Sequence, residues 1–218
     1  MTGRLRTIAA CLVALTVSAC GVPLDDTPRP IAAPTSTTSP QEQTNTDEDG
    51  GTTAFLFFIA NERLINLEED VSRRSTADVL STLFRVDPTD SNDEVTSQIP
   101  TGTRLLSADQ SGETLVVNVS EEFDNLVGPA RFQATAQIVL TATELSGVDV
   151  VTLRIEGEPT QVFSPSRGDV DEVGACDYVG LLPTIDLIGS WSLDQRSQRH
   201  LTTRRNMLVA QCPSGTGS

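Results

Sequence analysis

The side chains best suited to chemistry in this 218-residue chain are one histidine and four cysteines. His200 lies in an arginine-rich polar stretch, and no Gly-x-Ser-x-Gly sequence offers it a nucleophile. Neither a Walker sequence nor Gly-x-Gly-x-x-Gly occurs. We therefore expect a surface histidine, no cofactor, and a protein that is not an enzyme. Catalysis by paired carboxylates, which leave no sequence pattern, is the alternative.

Cys176 and Cys212 are predicted to form a disulfide. Of the other two cysteines, Cys11 lies inside an N-terminal apolar leader and Cys20 at its end. Exported proteins meet an oxidising compartment, in which two remaining thiols pair. Free thiols or half of a metal site are the alternatives. Since the sequence has no Cys-x-x-Cys and no histidine cluster, we predict no metal site.

The N-terminus has the pattern of an export leader. Arg4 and Arg6 precede an apolar run from Ile8 to Val17. This run is shorter than the roughly 20 residues of a membrane-spanning helix. Small residues follow it, which favours cleavage over a permanent membrane helix.

The end of the leader, Val17-Ser18-Ala19-Cys20-Gly21, resembles the lipobox of bacterial lipoproteins. The resemblance implies a signal peptide over residues 1–19, cleavage between Ala19 and Cys20, and a thioether-linked diacylglycerol on Cys20. Acyl chains anchor a protein stably when two or more insert. We therefore expect the membrane as a partner and a position at the outer face of the cell membrane. A plain secretory leader with an incidental cysteine is the alternative.

The whole chain is acidic, with 30 acidic against 15 basic residues and a net charge of −15. Nucleic acid is excluded as a partner, because phosphate contacts need clustered basic side chains. Residues 20–53 are rich in Pro, Ser, Thr and acidic residues, which is typical of a disordered tether. Within it, Asn45 to Gly50 imitates a calcium loop, but the twelfth position falls on Leu56 instead of glutamate.

Hydrophobic patterning predicts a folded domain from Ala54. Phe55 to Ile59 is a continuous apolar run, which favours a buried strand. The sequence Ser75-Thr76-Ala77-Asp78 has the pattern of a capping box, and apolar residues then follow at helical spacing until Pro88. The first two elements are therefore a strand and a helix.

The stretch from Ile99 to Ser120 predicts a hairpin that turns at Ser111-Gly112. Leu115, Val117 and Val119 alternate with more polar residues, the period of a strand with one face in the core. The other face of this hairpin is mixed in character, so we expect one side of the sheet to be solvated.

A second helix is predicted from Pro129 to about Ser146-Gly147, followed by a strand from Val148 to Ile155. Gln133 and Gln137 are expected to lie off the apolar face of that helix, which is formed by Phe132, Ala136, Val139, Leu140 and Thr143. The resulting order is strand, helix, strand, strand, helix, strand. It predicts an α+β fold, a single domain with a mixed sheet and helices on one face.

Parts of this domain resemble the GerMN domain, which is named for spore-germination and sporulation proteins and is common in actinobacterial lipoproteins. The resemblance extends over residues 54–163 and rests on the stretches Phe55–Phe58, Ser97–Leu106, Val116–Phe123, Gln137–Thr141 and Val151–Gly157. Their motifs are structural ones. The resemblance implies a non-catalytic module of an envelope lipoprotein, related to ring-building folds that mediate protein contacts.

Residues 164–218 are predicted to form an extension packed on the domain, with disordered last residues. A disulfide to Cys212 would fasten it there. We expect a short strand at Met207 to Ala210, and a solvated face formed by Arg196, Arg199, Arg204 and Arg205.

The first functional hypothesis is a lipid-anchored module that scaffolds an envelope complex through a protein partner. Its contact surface would be the uncovered side of the sheet or the C-terminal tail. The alternative is a carrier or sensor that binds a small ligand or an envelope glycan between helices and sheet. An aromatic content of 4% argues mildly against sugar stacking. The sequence leaves the partner, the process and the oligomeric state open.

Overall fold

The computed structural model of the chain describes residues 52–90 and 94–212. The expected signal peptide, Ala19, Cys20 and nearly all of the expected tether lie outside these ranges. Within them the strands are β1 (Thr53–Ala60), β2 (Arg63–Asp70), β3 (Leu105–Ser111), β4 (Thr114–Val119), β5 (Val150–Ile155), β6 (Glu158–Thr160), β7 (Val162–Ser164), β8 (Gly168–Val170) and β9 (Val173–Gly174). The helices are α1 (Thr76–Arg85), α2 (Gly128–Ala142), α3 (Ile185–Ser190) and α4 (Gln195–Gln211).

The strands β1 and β2 form an antiparallel hairpin with Phe57 opposite Asn66. The sequence did not predict β2. Its turn residues Asn61 and Glu62 both have positive φ, 48° and 63°. A tight turn of this kind is normally marked by Asn-Gly, and here the glycine is replaced by glutamate, so the usual signal is incomplete.

The main sheet has the order β3-β4-β5-β6, with β9 also paired to β5. β3 and β4 are antiparallel and turn at Gly112, whose φ is +60°. β4 and β5 are parallel, with α2 in the crossover between them. The predicted hairpin, its buried alternation and the α+β class with a mixed sheet are confirmed. The strand at Phe55 to Ile59 was expected to belong to the mixed sheet, but β1 pairs with β2 in a separate two-stranded sheet.

The helix α1 begins where the capping pattern predicted. The hydroxyl of its N-cap residue Ser75 accepts a hydrogen bond of 3.2 Å from the Asp78 N–H. The helix α2 differs from expectation, because every residue from Ala134 to Ala142 is buried. This part of α2 is enclosed on all sides, so the expectation that Gln137 lies off the buried face is wrong.

The last described residues form α4, and the strand expected at Met207 to Ala210 is wrong. The carboxylate of the N-cap residue Asp194 accepts hydrogen bonds from the N–H groups of Arg196 and Ser197, at 2.7 and 3.0 Å. The buried residues of α4 are Ser197, Leu201 and Leu208, out of 17. The short apolar run therefore continues a mostly polar helix. Within the described ranges, no helix has the length and apolar character needed to cross a bilayer.

Candidate functional site

The predicted site residues have different outcomes. Cys176 and Cys212 form a disulfide with an S–S distance of 2.02 Å, as the cysteine count predicted. It joins the end of α4 to the short 3-10 segment Ala175–Leu181. The two bonded cysteines are 36 residues apart in sequence. Ala19 and Cys20 lie outside the described residues, so lipidation stays a prediction.

Two polar side chains of α2 complete the open edge of β1. The Phe57 N–H donates to Thr141 Oγ1 at 2.9 Å, and Gln137 Nε2 donates to the Phe57 carbonyl oxygen at 3.1 Å. Gln137 Oε1 accepts from the Gln98 N–H at 2.7 Å. One turn of helix thus replaces a neighbouring strand. The signal that could have found this pair is two polar residues spaced by four within an otherwise apolar run.

His200 is part of a packed polar cluster, and the expected surface histidine is therefore wrong. Its ring stacks on Phe55, with centroids 3.8 Å apart. Its Nε2 lies 3.0 Å from a Glu144 oxygen, and its Nδ1 lies 3.0 Å from the Asn66 amide nitrogen. Arg204 Nε lies 2.8 Å from the other Glu144 oxygen. The side chain of Arg204 is only 14% exposed, so this arginine does not belong to a solvated face.

The cluster can be assessed as a catalytic pair of histidine and carboxylate. If the Asn66 amide donates to Nδ1, then Nε2 carries the proton and donates to Glu144. The second ring nitrogen therefore faces an amide instead of the hydroxyl or thiol that such a pair activates. Among the described residues, no group of side chains is arranged to hold a metal ion. We interpret the cluster as the contact that positions α4 on β1, β2 and the end of α2.

A second polar network holds the β7–β8 hairpin. The Asp177 carboxylate accepts hydrogen bonds from Ser164 Oγ at 2.6 Å, from the Gly174 N–H at 2.8 Å and from Arg167 Nη2 at 2.8 Å. Burial raises the pKa of Asp177, but these three donors outweigh it and hold the pKa below its ordinary value. The hairpin is thus fixed to the segment that carries Cys176.

An apolar groove of about 520 Å³ lies between the first turns of α2 and the β7–β8 hairpin. We define the apolar groove by its lining residues, which are Gly128, Pro129, Arg131, Phe132, Thr135, Gln161, Val162, Phe163 and Asp169. Five of these nine are exposed, so the groove is open to solvent. Phe163 is 52% exposed, and Val127, next to the lining, is 78% exposed.

The exposure of Phe163 follows from the strand that carries it. Successive side chains of a strand point to opposite faces, and in β7 Val162 and Ser164 are buried. Ser164 is tied to Asp177, so β7 is held in this register. Phe163 also packs its edge on Phe132, with ring centroids 6.0 Å apart. An aromatic ring is thereby held at the surface by neighbours that are themselves buried or hydrogen-bonded.

Fold and site together define an α+β domain with a mixed sheet and an open apolar groove. The family described as "Germane: Sporulation and spore germination" matches residues 47–161, just over half of the chain. The chain therefore belongs to this family, as the resemblance to the GerMN domain implied.

Solved structures of the same kind are similar in part. The tandem GerMN domains of the sporulation protein GerM from Bacillus subtilis align with a TM-score of 0.47 and 20% identity. That alignment covers 58% of this chain and 47% of the GerM chain, so this chain spans about half the length of the tandem protein. The first GerMN domain of the same protein aligns with a TM-score of 0.45 and 19% identity, over 56% of this chain and 97% of that one. No curated protein matches the sequence significantly.

Proposed function

We propose that the protein is a non-catalytic, lipid-anchored module of the cell envelope that binds a partner protein through the apolar groove. Membership of the sporulation and spore germination family supports a non-catalytic module, and the N-terminal leader supports export of the protein. The observation that carries the proposal is the exposed ring of Phe163, on a hairpin hydrogen-bonded to Asp177, beside the apolar floor of the groove. Exposed apolar patches with polar rims mark binding surfaces.

Anchoring is assigned to Cys20. Its replacement in Cys20→Ala should abolish incorporation of a labelled fatty acid into the full-length protein, because the thioether site is lost. The matched control is Cys11→Ala, which changes a cysteine inside the leader and should leave the fatty-acid label in place. Fatty-acid labelling of Cys20→Ala equal to that of the wild type would contradict lipid anchoring at this residue.

Partner binding is tested by crosslinking in intact cells, followed by purification of the tagged full-length protein. Phe163→Ser should lose a stoichiometric protein partner that the wild type retains. Leu106→Ser is the control, since Leu106 is 43% exposed on the β3–β4 hairpin, which does not line the groove. Equal capture by all three proteins would refute the groove as the binding site.

The second candidate is a carrier or sensor for a small ligand. It is favoured by the groove volume of about 520 Å³, which lies within the roughly 300–1,000 Å³ of small-molecule sites. The openness of the groove argues against it, because such sites bury most of their ligand. Mass spectrometry of the same purified samples decides between the two. A lipid or glycan that co-purifies with the wild type and is lost in Phe163→Ser would favour the carrier.

A further inference from the structure

We infer that the partner segment bound in the apolar groove is cationic and amphipathic, with basic side chains beside apolar ones. This inference rests on the proposed function, because it takes the groove as a protein-binding site. It adds the chemical character of the partner, which neither the family nor the fold specifies.

The groove is surrounded by more negative than positive charge. Three carboxylates lie in its lining or are hydrogen-bonded to it, and we call Asp124, Asp169 and Asp171 the acidic rim. Asp169 is a lining residue, and Asp171 accepts a hydrogen bond of 3.2 Å from the lining residue Gln161. Asp124 pairs with Arg131 at 3.2 Å. The groove and its acidic rim therefore carry three negative charges and one positive charge, that of Arg131.

The one guanidinium of the groove is already bound. Besides its pair with Asp124, Arg131 donates to Thr160 Oγ1 at 3.0 Å and to the Leu126 carbonyl oxygen. Its side chain is 24% exposed. Among the described residues, no basic side chain forms an ion pair with Asp169 or Asp171. These two carboxylates are therefore left for a cation from outside the chain.

An acidic side chain and the exposed aromatic ring of the groove lie side by side on adjacent strands. Phe163 in β7 is the direct cross-strand neighbour of Asp169 in β8. Directly paired residues have Cβ atoms about 4.5–5.5 Å apart. A segment that places an apolar side chain against Phe163 thus brings its next exposed side chain to Asp169. An arginine or lysine at that point gains an ion pair, whereas an acidic residue is repelled.

Other occupants fit this surface less well. Anionic lipid headgroups and nucleic acids carry the same sign of charge as the acidic rim and as the whole chain, whose net charge is −15. In a two-fold dimer formed through the groove, the two acidic rims would face each other, since the same patch is used on both subunits. Electrostatic complementarity therefore favours a basic protein segment.

The test uses the expected mature chain, residues 20–218 with Cys20→Ala, which carries neither the apolar leader nor acyl chains. It is titrated with three model peptides of one length. The peptides combine leucine with lysine, with glutamine or with glutamate in the same amphipathic pattern. Calorimetric titration at low salt should show binding of the leucine–lysine peptide and none of the leucine–glutamate peptide. Phe163→Ser should weaken binding by at least ~10-fold, as expected for an aromatic anchor. Asp169→Asn should weaken it roughly 2- to 5-fold, and salt should reduce that difference.

The control variant is Asp109→Asn, which removes an exposed carboxylate from β3 and should leave the affinity unchanged. Equal affinity for the lysine and glutamine peptides, with Phe163→Ser weakening both, would overturn the cationic partner while the groove remains a binding site. Binding that Phe163→Ser does not weaken would overturn the groove itself. Phe163-dependent binding to anionic vesicles, or self-association by light scattering that Phe163→Ser removes, would each assign a different occupant and overturn the inference.

Discussion

Replacement of Gln137 by methionine should be among the most damaging single changes in the domain. Gln137 is fully buried and bridges three parts of the chain. Its amide donates to the Phe57 carbonyl in β1 and accepts from the Gln98 N–H in the loop before β3. Methionine has a similar length and fills irregular space, so Gln137→Met removes the hydrogen bonds with little change in volume.

The magnitude follows from the groups that lose their partner. The Phe57 carbonyl oxygen is bound in a buried contact, and the Gln98 N–H in a partly buried one. An unsatisfied buried polar group costs about 1–3 kcal/mol, and a partly buried one costs less because water reaches it. The apolar methionine recovers some of this loss. We therefore expect a net loss of about 2–4 kcal/mol in the free energy of unfolding.

The measurement is urea unfolding followed by circular dichroism, with the disulfide oxidised. The control is Gln133→Met in the same helix, where the half-buried glutamine makes no side-chain hydrogen bond to another described residue. This control should stay within about 0.5 kcal/mol of the wild type. The reasoning is refuted if Gln137→Met loses no more stability than Gln133→Met at an unchanged denaturant slope.

Two further predictions concern the C-terminal part of the chain. Reduction of the Cys176–Cys212 disulfide, which links residues 36 apart, should lower the free energy of unfolding by about 3–4 kcal/mol in the chain-entropy account; an unchanged urea midpoint in reductant would contradict this. Asp177→Asn should destabilise the protein by about 1–3 kcal/mol near pH 7, because three donors lose a carboxylate. The pKa of Asp177 is lower in the folded chain, so this contribution is complete above the ordinary value of 3.8 and is lost as the pH falls through the folded value. Urea unfolding should thus show that the variant and the wild type differ less in free energy of unfolding at pH 3 than at pH 7. An equal difference at both pH values would contradict a stabilising role of the Asp177 carboxylate.

The elements that could be predicted from the sequence are those fixed by local patterns. The hairpin of β3 and β4 has strict alternation and a glycine at its turn, and α1 has its cap in the sequence. Each pattern is complete within a few residues. Each therefore identifies its element without knowledge of the neighbours that pack on it.

The elements that were missed depend on distant contacts. β2 is stabilised by pairing with β1, and its turn lacks the glycine that usually marks it. α4 has no continuous apolar stripe that would mark it as a helix in the sequence. It is held in place instead by the disulfide and by the contacts of His200 and Arg204 with Glu144. Gln137 appeared to be a solvent-exposed residue, since nothing local shows that α2 is enclosed on all sides. In all three cases the deciding partner is far away in sequence.

The apolar groove could not be predicted because its two walls come from separate parts of the chain. One wall is the start of α2, which lies inside the stretch that matches the family. The other wall is the β7–β8 hairpin, which begins at Val162, immediately after the matched residues end at 161. The Asp177 network and the disulfide then fix that hairpin and α4 to the domain. A family member without this second wall would lack both Phe163 and Asp169. Under the proposed function, the residues that follow the family domain should therefore determine which partner binds, and family membership alone does not identify that partner.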